Sequence, residues 1–379
     1  MQWDSAFPGG NGKLLRATRE SWGWDIAFLA ESKAREPQPL WFSFRLRGID
    51  GGKLRLRLAN SALCLGGLEE WERNRPVYRF PGGTWQRAAC GQNHWSPGHT
   101  VETWFEILEP AEEVEFAFCY PYQEATLQDT LSACPAFQQE TIGWTSQGRP
   151  IWRVFNAVGE ESRSRPGIYV LGRQHSGEVT GNWEMDGMLR YLSSAEGANA
   201  LERFAWWFVP FVDTDGVAEG YYGKDQAHND LNRAWHRNFP RRIELRAVQQ
   251  DMRVWQQTTQ ARLMLDMHAP GHGERESYFP VGADTPDAFR QELRALCGAL
   301  NVHLRACGLQ EAIFLEKKPG NNTSAQAGMT SAEYAHACKV NGSTFECTYQ
   351  GERTGRTYEI QDYRRIGACM VKAICDAIL

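Results

Sequence analysis

A change of periodicity near residue 135 constrains this chain more than any other feature. Before it, apolar and charged residues alternate with a period of two. In Trp41-Phe42-Ser43-Phe44-Arg45-Leu46-Arg47, Phe42, Phe44 and Leu46 share one face while Ser43, Arg45 and Arg47 take the other. Lys53 to Leu58 and Val114 to Phe118 repeat the pattern, with turn signals at Asp50-Gly51-Gly52 and Pro81-Gly82-Gly83 between such runs. One buried and one charged face mark half-buried antiparallel strands, so this third of the chain reads as an all-β sandwich. After residue 135, short apolar runs alternate with amphipathic stretches. Ile168–Leu171, Phe208–Val212 and Leu263–Met267 read as interior strands. Val179 to Leu192, Ile243 to Gln257 and Tyr363 to Leu379 carry apolar residues at helical spacing. Strand and helix in alternation predict an α/β domain with a mixed, largely parallel sheet flanked by helices.

At 379 residues the chain exceeds what one ordinary core holds. We expect an N-terminal β-sandwich over 1–125 and an α/β domain over 126–379. A net charge of -5 argues against nucleic acid as a partner. No apolar run is long enough to span a bilayer, and the first residues show no signal-peptide core. The ten cysteines form no CxxC pair, which suits reduced thiols and a cytoplasmic setting. Oligomeric state is not legible.

Ligand sites of α/β sheets lie beyond the carboxyl ends of strands. Two histidines fall there. His175 and Glu178, in Arg173-Gln174-His175-Ser176-Gly177-Glu178, follow the first interior strand, and His268 closes the third. Two imidazoles and a carboxylate suit a zinc ion with a fourth position open. An isolated His-x-x-Glu is common by chance, so the third ligand matters. Asp266 is placed to orient a neighbour, and His272 lies deeper in the loop as a residue of the site wall. Asn232 and Arg233 offer an amide and a planar guanidinium, which suit a carboxylate. Glu346 sits in the β-prone run Ser343–Tyr349, where a buried carboxylate needs a partner.

In chain order these segments resemble the zinc carboxypeptidase (funnelin) family, and within it the cytosolic branch with an N-terminal β-domain. Arg173–Glu178 is similar to that family's first metal motif, Asp213-Thr214-Asp215-Gly216-Val217 to its "NPDGV", and Asp230-Leu231-Asn232-Arg233-Ala234-Trp235 to its "DLNRxW". Asp266-Met267-His268 resembles its "DxH", and Phe345-Glu346 falls at its catalytic glutamate. Upstream, Trp41–Arg45 resembles the branch's "QWFYFR" and Phe116–Tyr122 its "FAYCYPY".

The resemblance implies one Zn2+ held by His175, Glu178 and His268, with Glu346 as general base and acid. It implies that Asn232 and Arg233 grip the terminal carboxylate of a peptide or protein tail, with a preference for acidic last residues. Where the branch has an arginine that polarises the scissile carbonyl, this sequence has Gly223-Lys224, so Lys224 takes that role as a point charge. The family's mobile tyrosine has no clear counterpart: ungapped counting reaches Ser324, with Tyr334 the nearer phenol. Arg237, Arg241, Arg242, Arg275 and Arg356 are the cations that suit an acidic side chain. Two other readings stand beside this one: a zinc amidase or deacylase for γ-glutamyl, murein-peptide or N-acyl bonds, and a non-catalytic peptide-binding module.

Overall fold

Period-two alternation in the first third builds ten strands: β1 (Gln2–Asp4), β2 (Lys13–Glu20), β3 (Gly23–Leu29), β4 (Ser43–Arg47), β5 (Lys53–Leu58), β6 (Val77–Arg79), β7 (Gln86–Arg87), β8 (Gln92–Trp95), β9 (Val101–Ile107) and β10 (Glu113–Ala117). They form two five-stranded sheets, ordered β1-β4-β10-β6-β7 and β2-β3-β5-β9-β8. The computed structural model describes residues 1–32, 38–95, 101–224, 230–236, 242–282, 285–316 and 328–378.

Aromatic rings fill the space between the two sheets. Phe28 of β3 and Phe105 of β9 meet Phe116 of β10 at centroid distances of 6.5 and 5.9 Å. Leu54, Leu56 and Leu58 are wholly buried on one side of β5, each such side chain contributing roughly 1.5–3 kcal/mol. One detail departs from the expected antiparallel pairing. β5 runs antiparallel to β9 but parallel to β3, from Gly23↔Lys53 to Phe28↔Leu58. Alternation reports which face is buried and is silent on the neighbour's direction.

The remainder comprises α1 (Glu124–Ser132), β11 (Gln138–Trp144), β12 (Pro150–Phe155), β13 (Pro166–Gly172), α2 (Thr180–Leu192), α3 (Ala198–Arg203), β14 (Ala205–Val209), α4 (Thr214–Glu219), α5 (Ile243–Thr258), β15 (Gln260–His268), β16 (Tyr278–Val281), α6 (Asp287–Ala306), β17 (Ile313–Glu316), α7 (Ser331–Ala337), β18 (Asn341–Glu346) and α8 (Ile360–Ala377). Its strands form one eight-stranded sheet, ordered β11-β12-β14-β13-β15-β18-β16-β17. The central strands β14, β13, β15 and β18 are parallel, while β11, β12 and the β16/β18 pair add antiparallel edges. β14 stops at Val209, short of the expected Val212, because Pro210 has no N–H to continue the ladder.

α2 and α8 cross closely over one sheet face. A Cβ on Gly187 would meet the Arg364 carbonyl at 2.1 Å, and one on Gly367 the Glu184 carbonyl at 1.9 Å. The β-sandwich is joined to this sheet by a shared core that includes Phe42, Phe118, Tyr349 and Met370. Polar ties reinforce it: Arg87 donates to the Tyr349 and Tyr358 carbonyls at 2.7 and 3.0 Å, and Asn11 to the Gly220 carbonyl at 2.7 Å.

Candidate metal centre

The chain turns sharply where β13 ends. Arg173 adopts a left-handed φ of 57°, unusual for a residue with a Cβ. Its buried guanidinium holds the turn, donating to the Ser176 carbonyl at 2.6 Å, the Asn182 side chain at 2.8 Å and the Tyr122 carbonyl at 3.1 Å. Gly177 then passes so near Tyr222 that a Cβ would lie 2.4 Å from the ring. This turn delivers His175 and Glu178 immediately before α2. Beside it, β15 closes with His268, and β18 lies parallel to β15 with His268 opposite Glu346. Parallel neighbours present their carboxyl ends on the same side, so residues far apart in sequence meet there.

His175, Glu178 and His268 are all buried, and one ligand atom from each lies within 4.8 Å of the others. Glu178 Oε1 is 2.8 Å from His175 Nδ1, and its Oε2 is 2.6 Å from His268 Nδ1. The outer nitrogens face carboxylates: His175 Nε2 meets Asp230 Oδ1 at 3.0 Å and His268 Nε2 meets Asp266 Oδ2 at 2.9 Å. With a cation held inside the cluster, each Nε2 would donate to its outer carboxylate and each Nδ1 would turn its lone pair inward. Asp266 is itself held by Gln174 and Ser331, and Gln174 accepts from Trp235 Nε1 at 2.6 Å. Two imidazoles and a carboxylate converge with their outer partners in place, which is the donor set zinc takes.

Charge follows the same logic. Against the cost of burial, His175, His268 and Lys224 hold Glu178 well below the usual carboxylate range. His268 is raised well above its ordinary value, because Asp266 and Glu178 outweigh its burial. His175 is raised more modestly, with burial and Lys224 opposing Glu178 and Asp230. Glu346 is raised, chiefly by burial and with help from Glu178, while His268, Lys224 and His175 oppose. A buried carboxyl tuned upward beside the His2Glu cluster is the kind of group that suits proton transfer.

Lys224 stands at the same centre, with Nζ 3.8 Å from Glu178 Oε1. Asn232 reaches behind His268: its Nδ2 is 3.2 Å from His268 Nε2, and its Oδ1 accepts from the Ser331 N–H at 3.1 Å. Arg233 donates to the Asn232 carbonyl at 2.8 Å. Asp213 caps α4 and accepts from Ser176 Oγ at 3.1 Å, so it braces the loop that carries His175. His272 lies outside the cluster, packed on Trp71 with ring centroids 4.3 Å apart. Tyr334 is buried on α7 against Trp235. Arg242 pairs with Glu244 and Asp213, and Arg356 with Glu352 and Asp362. Ser324, Arg237 and Arg241 fall outside the described residues.

One phenol escaped the sequence reading. Tyr278 opens β16 directly opposite Glu346, and its hydroxyl is pushed up by burial and by Glu346, Glu274 and Glu178. It was hidden because β16 joins the sheet antiparallel to β18, a pairing that no local pattern announces.

Strand-end placement, a buried His2Glu set and a neighbouring carboxyl define the class: a zinc-type His2Glu centre at the strand ends of an α/β sheet. Residues 123–361 match the family model for zinc carboxypeptidase, and residues 3–118 match that for the cytosolic carboxypeptidase N-terminal domain. The chain belongs to the zinc carboxypeptidase family. It is 28% identical over 206 residues to cytosolic carboxypeptidase 3 of Bos taurus, covering 50% of this chain and 20% of that protein. Cytosolic carboxypeptidase 1 of Danio rerio is 26% identical over 227 residues, covering 54% and 19%. The match thus spans about a fifth of the length of these relatives. Among solved structures, the metallo-carboxypeptidase of Burkholderia cenocepacia superposes with a TM-score of 0.81 at 19% identity, covering 99% of this chain and 98% of that one. That of Pseudomonas aeruginosa, in complex with (2-guanidinoethylmercapto)succinic acid, gives 0.79 at 20% identity over 99% and 98%. These two establish the fold.

Proposed function

We propose that the protein is a zinc metallocarboxypeptidase, which removes the last residue of a peptide or protein tail. The observation that carries this reading is the His175–Glu178–His268 cluster with Glu346 in register beside His268. Zinc, when bound there, supplies Lewis acidity to water and to the scissile carbonyl. Glu346 takes the proton of the attacking water and delivers it to the leaving amine. Lys224 stabilises the negative charge that develops on the carbonyl oxygen. Asp230 and Asp266 hold the two imidazoles in orientation. Arg233, with Asn232, takes the substrate's terminal carboxylate. Asn232 is already engaged with the Ser331 N–H behind His268, so we assign the direct grip chiefly to Arg233.

We place the β-domain at 1–125 and the catalytic domain at 126–379. The cytosolic naming of the relatives supports a cytoplasmic setting, and among the described residues no helix is long and apolar enough to cross a membrane. A preference for acidic last residues rests on the resemblance alone. Against it, the carboxylates of Glu70 and Glu274 both close on Gly271, and burial together with Glu70 and Glu346 pushes the Glu274 carboxyl up. A panel of peptides differing only in the last residue, run with zinc and with chelator, tests both levels. Chelator-sensitive release of single C-terminal residues supports the reading. Cleavage confined to γ-linked or N-acyl substrates overturns it.

A further inference from the structure

Glu184 lies on α2, one turn beyond Thr180, and is wholly buried. Neither of its carboxyl oxygens has a well-formed hydrogen bond. The polar group it faces is the thiol of Cys347, also wholly buried. Cys347 directly follows Glu346 at the exit of β18. The segment is gripped on every side. Thr180 Oγ1 donates to the Cys347 carbonyl at 3.1 Å, the Cys347 N–H donates to the His268 carbonyl at 2.9 Å, and Ser277 Oγ lies 3.7 Å from the Cys347 sulfur. Thr180 therefore holds the backbone of the residue next to the proposed base, and Glu184, one turn on along the same stripe of α2, faces its thiol.

We propose that Glu184 is a positioning residue for Glu346, acting through the Cys347 thiol to fix the strand end that presents the Glu346 carboxyl. The inference rests on the carboxypeptidase reading above. Among the described residues Glu184 forms no ion pair, so a carboxylate here would be an uncompensated buried charge, which is costly. Burial pushes Glu184 up to about 8, the Cys347 thiol opposing in part. The groups facing the pair do not relieve that cost. Cys119 comes from the end of the sandwich strands, Tyr358 from the loop before α8, and Tyr363 from α8 itself. The nearby cations Arg190 of α2 and Arg364 of α8 are bonded to Asp186. Ionisation of Glu184 would be relieved by shifting the Cys347 segment, and Glu346 would move with it.

The test compares the zinc-loaded wild type with Glu184→Gln and Glu184→Leu, measuring kcat and KM across neutral to alkaline pH. An infrared difference spectrum at neutral pH supplies a readout independent of turnover. Expected are a neutral-acid carbonyl band present in wild type and lost in Glu184→Gln, and an alkaline fall in kcat that Glu184→Gln removes. Glu184→Gln keeps the shape and a hydrogen-bonding group and holds neutral-pH kcat within about threefold, whereas Glu184→Leu loses about tenfold in kcat with KM little changed. Absence of the neutral-acid band overturns the proposal, as does an alkaline limb identical in wild type and Glu184→Gln. If Glu184→Leu does not fold, the band and the Glu184→Gln profile decide. A wild type with no chelator-sensitive release of C-terminal residues overturns the carboxypeptidase reading and this inference together, while an active wild type with an unchanged Glu184→Gln profile overturns this inference alone.

Discussion

His268 and Glu346 face each other across adjacent parallel strands, the last residue of β15 opposite the last of β18. They are 78 positions apart in sequence. The register of one strand pair therefore joins a proposed metal ligand to the proposed proton carrier beside it. A slip of one residue would turn Glu346 to the other face of the sheet.

Glu346→Gln removes the proposed proton acceptor while keeping the shape of the side chain. It should lower kcat by about 10²–10⁴-fold and leave zinc stoichiometry unchanged. Metal analysis alongside single-turnover kinetics checks this, and a fully active Glu346→Gln protein would refute the assignment.

Asp266 orients His268 from behind, with Gln174 and Ser331 holding it in turn. Asp266→Asn should weaken zinc binding by about 10–100-fold, since the imidazole loses its fixed orientation and part of its basicity. Competition against a chromophoric chelator measures the shift directly. An unchanged affinity would mean that Asp266 serves the fold alone.

Lys224 is 3.8 Å from Glu178 and carries the positive charge nearest the cluster for which a role in turnover is proposed. Lys224→Ala should cost about 10²-fold in kcat, with a smaller effect on KM. Lys224→Arg should restore part of that loss, because it returns the charge with a different shape. Equal loss in both variants would argue for a steric role.

His272 is buried against Trp71, and burial lowers its pKa to about 3. In the unfolded chain a histidine titrates near 6.5, so between roughly 6.5 and 3 the unfolded state binds a proton that the folded state refuses. The contribution is fully present above about pH 6.5 and is lost as pH falls, at up to about 1.4 kcal/mol per unit. Urea unfolding of wild type and His272→Asn across that window should show a shallower slope in the variant, whatever its stability at pH 7.

Arg87 ties the β-sandwich to the segment after Glu346 through the Tyr349 and Tyr358 carbonyls and the Tyr363 hydroxyl. Arg87→Ala strands those buried acceptors and should cost about 2–4 kcal/mol. With a core shared between the two parts, calorimetry should still show one transition. Two separated transitions in wild type would contradict that coupling.

Much of the fold was legible because burial leaves a periodic trace. The stripes at Phe42-Phe44-Leu46 and Leu54-Leu56-Leu58 became β4 and β5 and their approach, and the helical spacings became α2, α5 and α8. The parallel β3/β5 pair and the early end of β14 were not legible, since partner direction and local ladder continuity leave no such trace. At the site, His175, Glu178 and His268 stood out through residue type and strand-end position, with the resemblance supplying their grouping. Tyr278 and Glu184 were invisible. Tyr278 depends on an antiparallel neighbour, and Glu184 occupies a helical position that pattern alone leaves unremarkable.

The sequence by itself determined the two textures of the chain, the strand ends where chemistry gathers and the residue types suited to hold zinc. Tertiary structure decided which of those groups meet. It set the β15/β18 register that places Glu346 beside His268, turned the imidazole Nε2 atoms onto Asp230 and Asp266, and buried Glu184 against Cys347. The reason is physical: periodicity follows from local burial, whereas register, neighbour direction and the desolvation of a charge depend on segments many residues away.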